Sequence, residues 1–460
     1  MDNLFDLIIL GGGPGGYLAG ERSGRAGLKT LVIEKRALGG TCLNDGCIPS
    51  KTLLHSAKIF DYANGYGEKY GVTATGAEID QKKVVARKNR VVKTLVSGVA
   101  AALKKSNTTV EHGHGEILGK TAEGFQVAVN GKVFTGRKLL LATGSEAVIP
   151  PIPGLKEARE SGFALTNKEI FDLETIPKTF VIIGGGVVGL EMASYFNSVG
   201  SSVTVIDRLG HIGGYIDKDI SAVLQKNYEK KGVKFLLSRE VTGIGADFVE
   251  YEKNGERKRV KAGKILVAIG RKPVITGFGL ENINPETENG AIKTDEYGRT
   301  NIAGLYACGD VNGKMMLAHT AYRESEVIIN NITGKKDIIR YHAIPSVIYT
   351  NPEAASVGET LETAAAKGFD AKEATEITVP MMYSGRYAAE NEETDGICKI
   401  VIDKASSRLL GVHMIGNYSS EIIYGAALMI ETEMTVSDIK ELVFPHPTVC
   451  EIIREALFMV

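Results

Sequence analysis

Leu7-Ile8-Ile9-Leu10-Gly11-Gly12-Gly13-Pro14-Gly15-Gly16 decides the fold of this chain. Four apolar residues without a polar break read as a buried strand, and glycines 11, 13 and 16 read as the turn that feeds a helix. A second apolar run follows and ends in the acid Glu34. The same order recurs from Lys178 to Arg208: Phe180-Val181-Ile182-Ile183, then Gly184, Gly186 and Gly189, then a helical stretch and a strand ending in Asp207. The spacing from Gly11 to Glu34 equals that from Gly184 to Asp207. In such a unit the first glycine makes the tight turn, the second lets a pyrophosphate approach the backbone, and the third lets helix pack on strand. The phosphate sits at the helix N-terminus, where free amides and the dipole favour negative charge. A single copy could be an ordinary glycine-rich turn. Two copies, each with strand, helix and spaced acid, predict two Rossmann-type βαβ units and an α/β fold.

The bulk properties agree with a multidomain enzyme. At 460 residues the chain is about three times a typical domain, and 43% hydrophobic content supports large cores. A net charge of -1 gives no footprint for nucleic acid or for an anionic membrane. The N-terminus, Met1 to Asp6, is acidic where a signal peptide would be basic. No apolar run reaches the roughly 18 residues that a membrane span needs. Five cysteines are too few for a secreted disulfide scaffold, so a cytoplasmic location is expected, where a cysteine pair is catalytic or metal-binding.

Gly39-Gly40-Thr41-Cys42-Leu43-Asn44-Asp45-Gly46-Cys47-Ile48-Pro49-Ser50-Lys51 lies just after the first unit. A zinc knuckle would need two more suitably spaced ligands, and Cys308, Cys398 and Cys450 are scattered singly. Inert buried cysteines would not explain the flanking Gly-Gly-Thr and Pro-Ser-Lys. A redox pair fits best. Pro49 suits a first helical turn, placing Cys47 where the dipole stabilises a thiolate, and Lys51 shares its helix face. His446 stands between prolines with Glu451 following, the arrangement of a general base oriented by a carboxylate. The His112-Gly113-His114 pair reads as structural, and no metal is expected. Val84 to Ser106 reads as a long solvated helix. From about Ala343 strands alternate with helices (Gly396 to Asp403, Arg408 to Met414, Ser419 to Glu431), which predicts an α+β C-terminal domain.

Taken together, the Cys-x4-Cys segment, both fingerprints and the C-terminal stretch resemble the pyridine nucleotide disulfide oxidoreductases over nearly the whole chain. Further matching stretches are Thr300 to Asp310, Met316 to His319, Ile344 to Gly358 and His446-Pro447-Thr448. Within that family, Ile48-Pro49-Ser50-Lys51 is most similar to members that oxidise dihydrolipoyl groups. The resemblance implies FAD and NAD as cofactors. It implies an FAD-binding domain in two parts (residues 1–145 and 273–343), an NAD-binding domain (146–272) and a dimerisation domain (344–460).

Residue by residue, it implies that Gly11, Gly13, Gly16, Glu34, Gly40, Thr41, Lys51, Gly115, Thr143, Gly144, Asp310 and Ala318 serve FAD. Gly184, Gly186, Gly189, Glu191, Asp207, Val241 and Gly270 serve NAD, with Glu191 also the partner of Lys51. Asp207 favours NAD because a carboxylate repels a 2'-phosphate, whereas the adjacent Arg208 could reach one, so NADP stands as the alternative. Cys42 is implied as the sulfur that meets substrate and Cys47 as the sulfur that meets flavin, with His446 and Glu451 reaching them from the other subunit of a homodimer. The implied partner is the lipoyl-bearing protein of a 2-oxo acid dehydrogenase, acetoin or glycine cleavage system. A thioredoxin-like or glutathione-like partner is the alternative, and so is a non-enzymatic redox sensor that holds FAD.

Overall fold

In the computed structural model, which describes residues 3–367, 374–391 and 395–460, the chain forms two compact units. Met1 and Asp2 of the acidic N-terminus lie outside the described residues. The first unit comprises residues 1–52, 83–148 and 270–340. Its sheet runs in the order Thr109–His112, Thr30–Glu34, Leu4–Leu10, Lys132–Leu141, Phe125–Val129, Glu116–Lys120, with Leu305–Ala307 also pairing with Lys132–Leu141. The first four of these strands pair in parallel, Leu10 standing beside both Ile33 and Leu141. Parallel strands buried on both faces need apolar residues at every position. Accordingly Ile8, Leu10, Leu31 and Ile33 enter one core, while Leu7, Ile9 and Val32 enter the core on the opposite face. The second face carries the helix Pro14–Arg25 and the helix Ala318–Ile332, which pack together.

The second unit comprises residues 53–82, 149–269 and 341–460. Its first sheet is wholly parallel, in the order Lys234–Leu236, Ser202–Ile206, Thr179–Ile183, Lys264–Val267, Ala164–Leu165, with the antiparallel strands Glu240–Ile244, Phe248–Lys253 and Glu256–Lys261 inserted as a separate sheet. Its other large sheet is antiparallel, in the order Ser346–Ile348, Ala354–Gly358, Leu409–Ile415, Ile397–Asp403, Ala374–Pro380. The helices Ser419–Glu431 and Glu451–Phe458 cover that sheet and bury Ile423, Ala426, Ile452 and Ile453 in one core with Ile400, Val412 and Met414. The α/β fold with two Rossmann-type sheets and an α+β C-terminal domain is present as expected. No helix among the described residues is long and apolar enough to cross a membrane.

Candidate active site

The first glycine turn is built by sterics. A Cβ on Gly11, whose φ is +105°, would lie 2.2 Å from the Ala142 carbonyl oxygen, and one on Gly16 would lie 1.8 Å from that of Gly11. Gly13 is the N-cap of the helix Pro14–Arg25, with proline at its first turn where no amide donor is needed. The Glu34 carboxylate locks the loop: Oε2 accepts from the Gly12 N–H at 2.7 Å and Oε1 from the Arg36 N–H at 2.7 Å. Gly39 and Gly40, at φ +91° and +56°, bring the cysteine segment against this turn. The Gly39 N–H donates to the Gly12 carbonyl, and a Cβ on Gly40 would lie 2.6 Å from the Gly13 Cα.

Cys42 lies on the short helix Gly40–Asp45 and Cys47 begins the helix Cys47–Ala63, which also carries Lys51. Both are half-buried. A hydrogen bond with Cys47, then burial, push the Cys42 thiol far up, and Lys51 pulls it back only in part. Cys42 is thereby held as the thiol of the pair, while Cys47 starts a helix, where the dipole favours a thiolate. In the same unit Ala318 opens a helix, and the Thr143 hydroxyl donates to the Val274 carbonyl. Gly115 is a packing position, where a Cβ would lie 2.7 Å from Leu10 Cδ2. Gly144 is left-handed at φ +70°.

The second unit repeats the turn. A Cβ on Gly184 would lie 2.3 Å from the Ala268 carbonyl oxygen and one on Gly189 would lie 2.0 Å from that of Gly184, whereas one on Gly186 meets nothing within 4 Å. Asp207 accepts the Gly185 N–H at 2.5 Å and the Leu209 N–H at 2.7 Å, while Arg208 beside it is exposed. Val241 is half-buried on an inserted strand. Glu191, on the helix Val187–Ser198, is buried, and its Oε1 accepts the Tyr349 N–H at 3.2 Å. Gly270, assigned to NAD from sequence, belongs to the first compact unit, exposed at φ +121°.

His446 and Glu451 are brought together as the sequence suggests. Nδ1 lies 3.0 Å from Glu451 Oε1, Glu451 Oε2 accepts the Thr448 N–H at 2.8 Å, and the imidazole is 78% exposed, leaving Nε2 available for proton transfer. The Thr448 N–H holds the Glu451 carboxyl below the usual carboxylate range, and His446 adds to this. Cys450 lies 3.0 Å from the Thr448 hydroxyl. Among the described residues no group of His, Cys, Asp and Glu could hold a metal.

Sequence reasoning missed two polar clusters. Tyr17 and Tyr322 join hydroxyls at 2.5 Å, and Arg271, Ser145 and Asp310 form a hydrogen-bonded chain. Both link residues more than a hundred positions apart, and neither belongs to a local motif. Asp310 itself carried a signal, ending the Ala-Cys-Gly-Asp stretch; its partners did not.

A turn open to a phosphate at Gly186, an acid at the strand end and a dithiol on the wall of the other turn fit a dinucleotide in each unit. The family model for pyridine nucleotide-disulphide oxidoreductases matches residues 5–325, and that for their dimerisation domain matches residues 344–457. Dihydrolipoyl dehydrogenase of Bacillus subtilis is 38% identical, covering 98% of this chain and 97% of its own, and that of Mycoplasma genitalium is 36% identical, covering 98% and 97%. Among solved structures, LpdA from Mycobacterium tuberculosis superposes with a TM-score of 0.88 at 25% identity, covering 98% of this chain and 99% of its own. The flavoprotein disulfide reductase RclA from Escherichia coli gives 0.86 at 25% identity, covering 99% and 100%. The chain belongs to the pyridine nucleotide-disulphide oxidoreductases, on the branch of the dihydrolipoyl dehydrogenases, an oxidoreductase family whose cofactors are FAD and NAD.

Proposed function

We propose that this chain, as a homodimer, oxidises dihydrolipoyl groups carried on a partner protein and reduces NAD+. The carrying observation is the Cys42–Cys47 pair on two successive helices, with Cys47 at a helix N-terminus and Gly39 and Gly40 setting the segment against the first glycine turn. His446 of a second subunit, oriented through Nδ1 by Glu451, takes the proton of one substrate thiol at Nε2. That thiolate attacks Cys42 Sγ; the Cys42–Cys47 bond breaks, and Cys47 leaves as a thiolate. The second substrate thiol then attacks the mixed disulfide, so lipoyl departs oxidised and Cys42 takes up the proton. Lys51 and the helix terminus hold the charge on Cys47. FAD, held beside this pair, would supply the two-electron chemistry that links the Cys42 thiol and Cys47 thiolate, which return to the disulfide, to the reduction of NAD+. Gly11, Gly13, Gly16, Glu34, Gly40, Thr41, Gly115, Thr143, Gly144, Asp310 and Ala318 are the residues proposed to hold it. Gly184, Gly186, Gly189, Glu191, Asp207, Val241 and Gly270 are those proposed for NAD.

Steady-state turnover tests the reading. Free dihydrolipoamide with the FAD-loaded protein should sustain NADH formation well beyond one equivalent, and a single equivalent followed by arrest would mark a sensor instead. Side-by-side kinetics with NADP should favour NAD, because a carboxylate at the end of this strand repels a 2'-phosphate. A preference for NADP would move the assignment to Arg208. Replacing Cys47 with Ser should abolish the long-wavelength absorption that a thiolate gives beside FAD; its survival would reverse the roles of the two sulfurs.

A further inference from the structure

Arg271, which no local motif marks, is anchored in the first unit through both the side chain and the backbone of Ser145. The short strands Ser145–Ala147 and Arg271–Pro273 pair antiparallel, which brings the guanidinium onto Ser145. Arg271 Nε donates to Ser145 Oγ at 2.7 Å and Nη2 to the Ser145 carbonyl at 2.7 Å, a two-pronged grip that a planar fork can make and an ammonium cannot. The Ser145 hydroxyl, its lone pair engaged by Arg271, donates onward to Asp310 Oδ2, which also lies 3.9 Å from Arg271 Nε. Asp310 is held from its other side as well. Its turn, Gly309–Asn312, is fixed by the buried Glu324, whose carboxylate accepts the Gly309 N–H at 2.5 Å and the Asn312 side-chain amide at 2.8 Å. Arg271 is only 22% exposed, and Asp310, Asp45, Cys47 and Glu146 all lie within its electrostatic reach. Burial alone pushes its pKa down, and these neighbours oppose that.

We infer that Arg271 is a positioning residue of the redox centre: its fork on Ser145 fixes Asp310 for the flavin, and its charge favours the anion on Cys47. The inference rests on reading Cys47 as the flavin-side sulfur. The charges around the thiol pair then sort themselves. Asp45 is neutralised by its ion pair with Arg36, and Glu146 by Lys272 at 3.2 Å. Tyr17 and Tyr322 are held protonated by burial. Lys51 then acts on the sulfurs from the helix Cys47–Ala63, and Arg271 from the strand Arg271–Pro273.

Arg271→Lys keeps the charge and loses the fork, whereas Arg271→Gln loses both, so the two roles separate. The readouts are the pH midpoint of the long-wavelength absorption in FAD-loaded protein reduced chemically with dithionite, and the rate of FAD loss on dialysis against concentrated salt. Arg271→Gln should raise the midpoint by about one pH unit, a tenfold change in the thiolate-to-thiol ratio. Arg271→Lys should leave the midpoint within a few tenths while FAD is lost several-fold faster, and Ser145→Ala should do the same. An unchanged midpoint in Arg271→Gln overturns the charge role; unchanged FAD retention in Arg271→Lys and Ser145→Ala overturns the positioning role. Should Arg271→Gln fail to retain FAD, iodoacetamide alkylation of the reduced thiols at matched pH in the FAD-free wild type, Arg271→Lys and Arg271→Gln carries the charge test: a several-fold fall in Arg271→Gln alone supports it, and equal rates in all three refute it. Dithionite replaces the substrate here, so a shifted midpoint in a protein that ignores dihydrolipoamide would sink the substrate reading and leave this inference standing.

Discussion

The two glycine turns are near copies in geometry and opposites in surroundings. In each, a Cβ on the first glycine would strike a carbonyl at 2.2 or 2.3 Å, one on the third would strike at 1.8 or 2.0 Å, and an acid ties the loop through a glycine amide. The walls differ. Around Gly13 the chain folds its own cysteine segment back, with Gly40 against Gly13, and Glu34 is 8% exposed. Around Gly186 there is open space, Val187 and Val188 are 42% and 39% exposed, and Asp207 is only half-buried. An enclosed turn suits a cofactor that stays and must touch a thiol. An open one suits a cofactor that arrives, takes electrons and leaves.

The harshest way to break this comparison is to add a methyl group to the third glycine of each turn. Gly16→Ala meets backbone at 1.8 Å inside the enclosed unit, where nothing can yield, so it should cost several kcal/mol and prevent recovery of FAD-loaded protein. Gly189→Ala, at 2.0 Å in the open unit, should still yield a yellow protein whose thiols reduce with dithionite, while the KM for NAD rises by at least about tenfold. FAD absorbance and NAD kinetics on the two variants decide it: loss of FAD from Gly189→Ala, or its normal retention by Gly16→Ala, would remove the distinction.

A gentler test exchanges charge without changing shape. Asp207→Asn keeps an acceptor for one loop amide but no longer repels a 2'-phosphate, so the NAD-to-NADP ratio of kcat/KM should fall by about tenfold with FAD content unchanged. If the ratio is unmoved, Asp207 is only a loop tie.

Much of this was legible because it is local. Strand, turn, helix and acid of both units lie in single stretches, and the Cys47–Ala63 helix begins where Pro49 suggested. The Ser419–Glu431 helix and the His446–Glu451 contact were readable for the same reason. What was hidden is assembled by strand pairing between distant segments. Leu305–Ala307 joins the first sheet beside Lys132–Leu141, and the register of Ser145–Ala147 on Arg271–Pro273 puts a guanidinium on a serine across the whole of the second nucleotide fold. No periodicity announces a three-residue strand, so nothing in the sequence singled out Arg271.

The smallest effect concerns the third acid that ties a loop through backbone amides. Glu34 and Asp207 spend both oxygens on backbone amides, whereas Glu451 spends one on the Thr448 N–H and points the other at His446. That division is what the proposed role of His446 as a base asks of Glu451. Since the Thr448 N–H and His446 hold its pKa below the unfolded value of about 4.3, the stability it contributes is complete above that pH and is lost as pH falls through the folded value. Exposure keeps the contribution small, so wild type should exceed Glu451→Gln in melting temperature by only about one degree at pH 7, with the gap constant down to about pH 5 and closing below it. Turnover should respond far more than stability, because the amide can still cap Thr448 incompletely but no longer stabilises an imidazolium. A gap that widens toward acid would mean that Glu451 is protonated in the folded state, and the carboxylate would then be unable to orient the base.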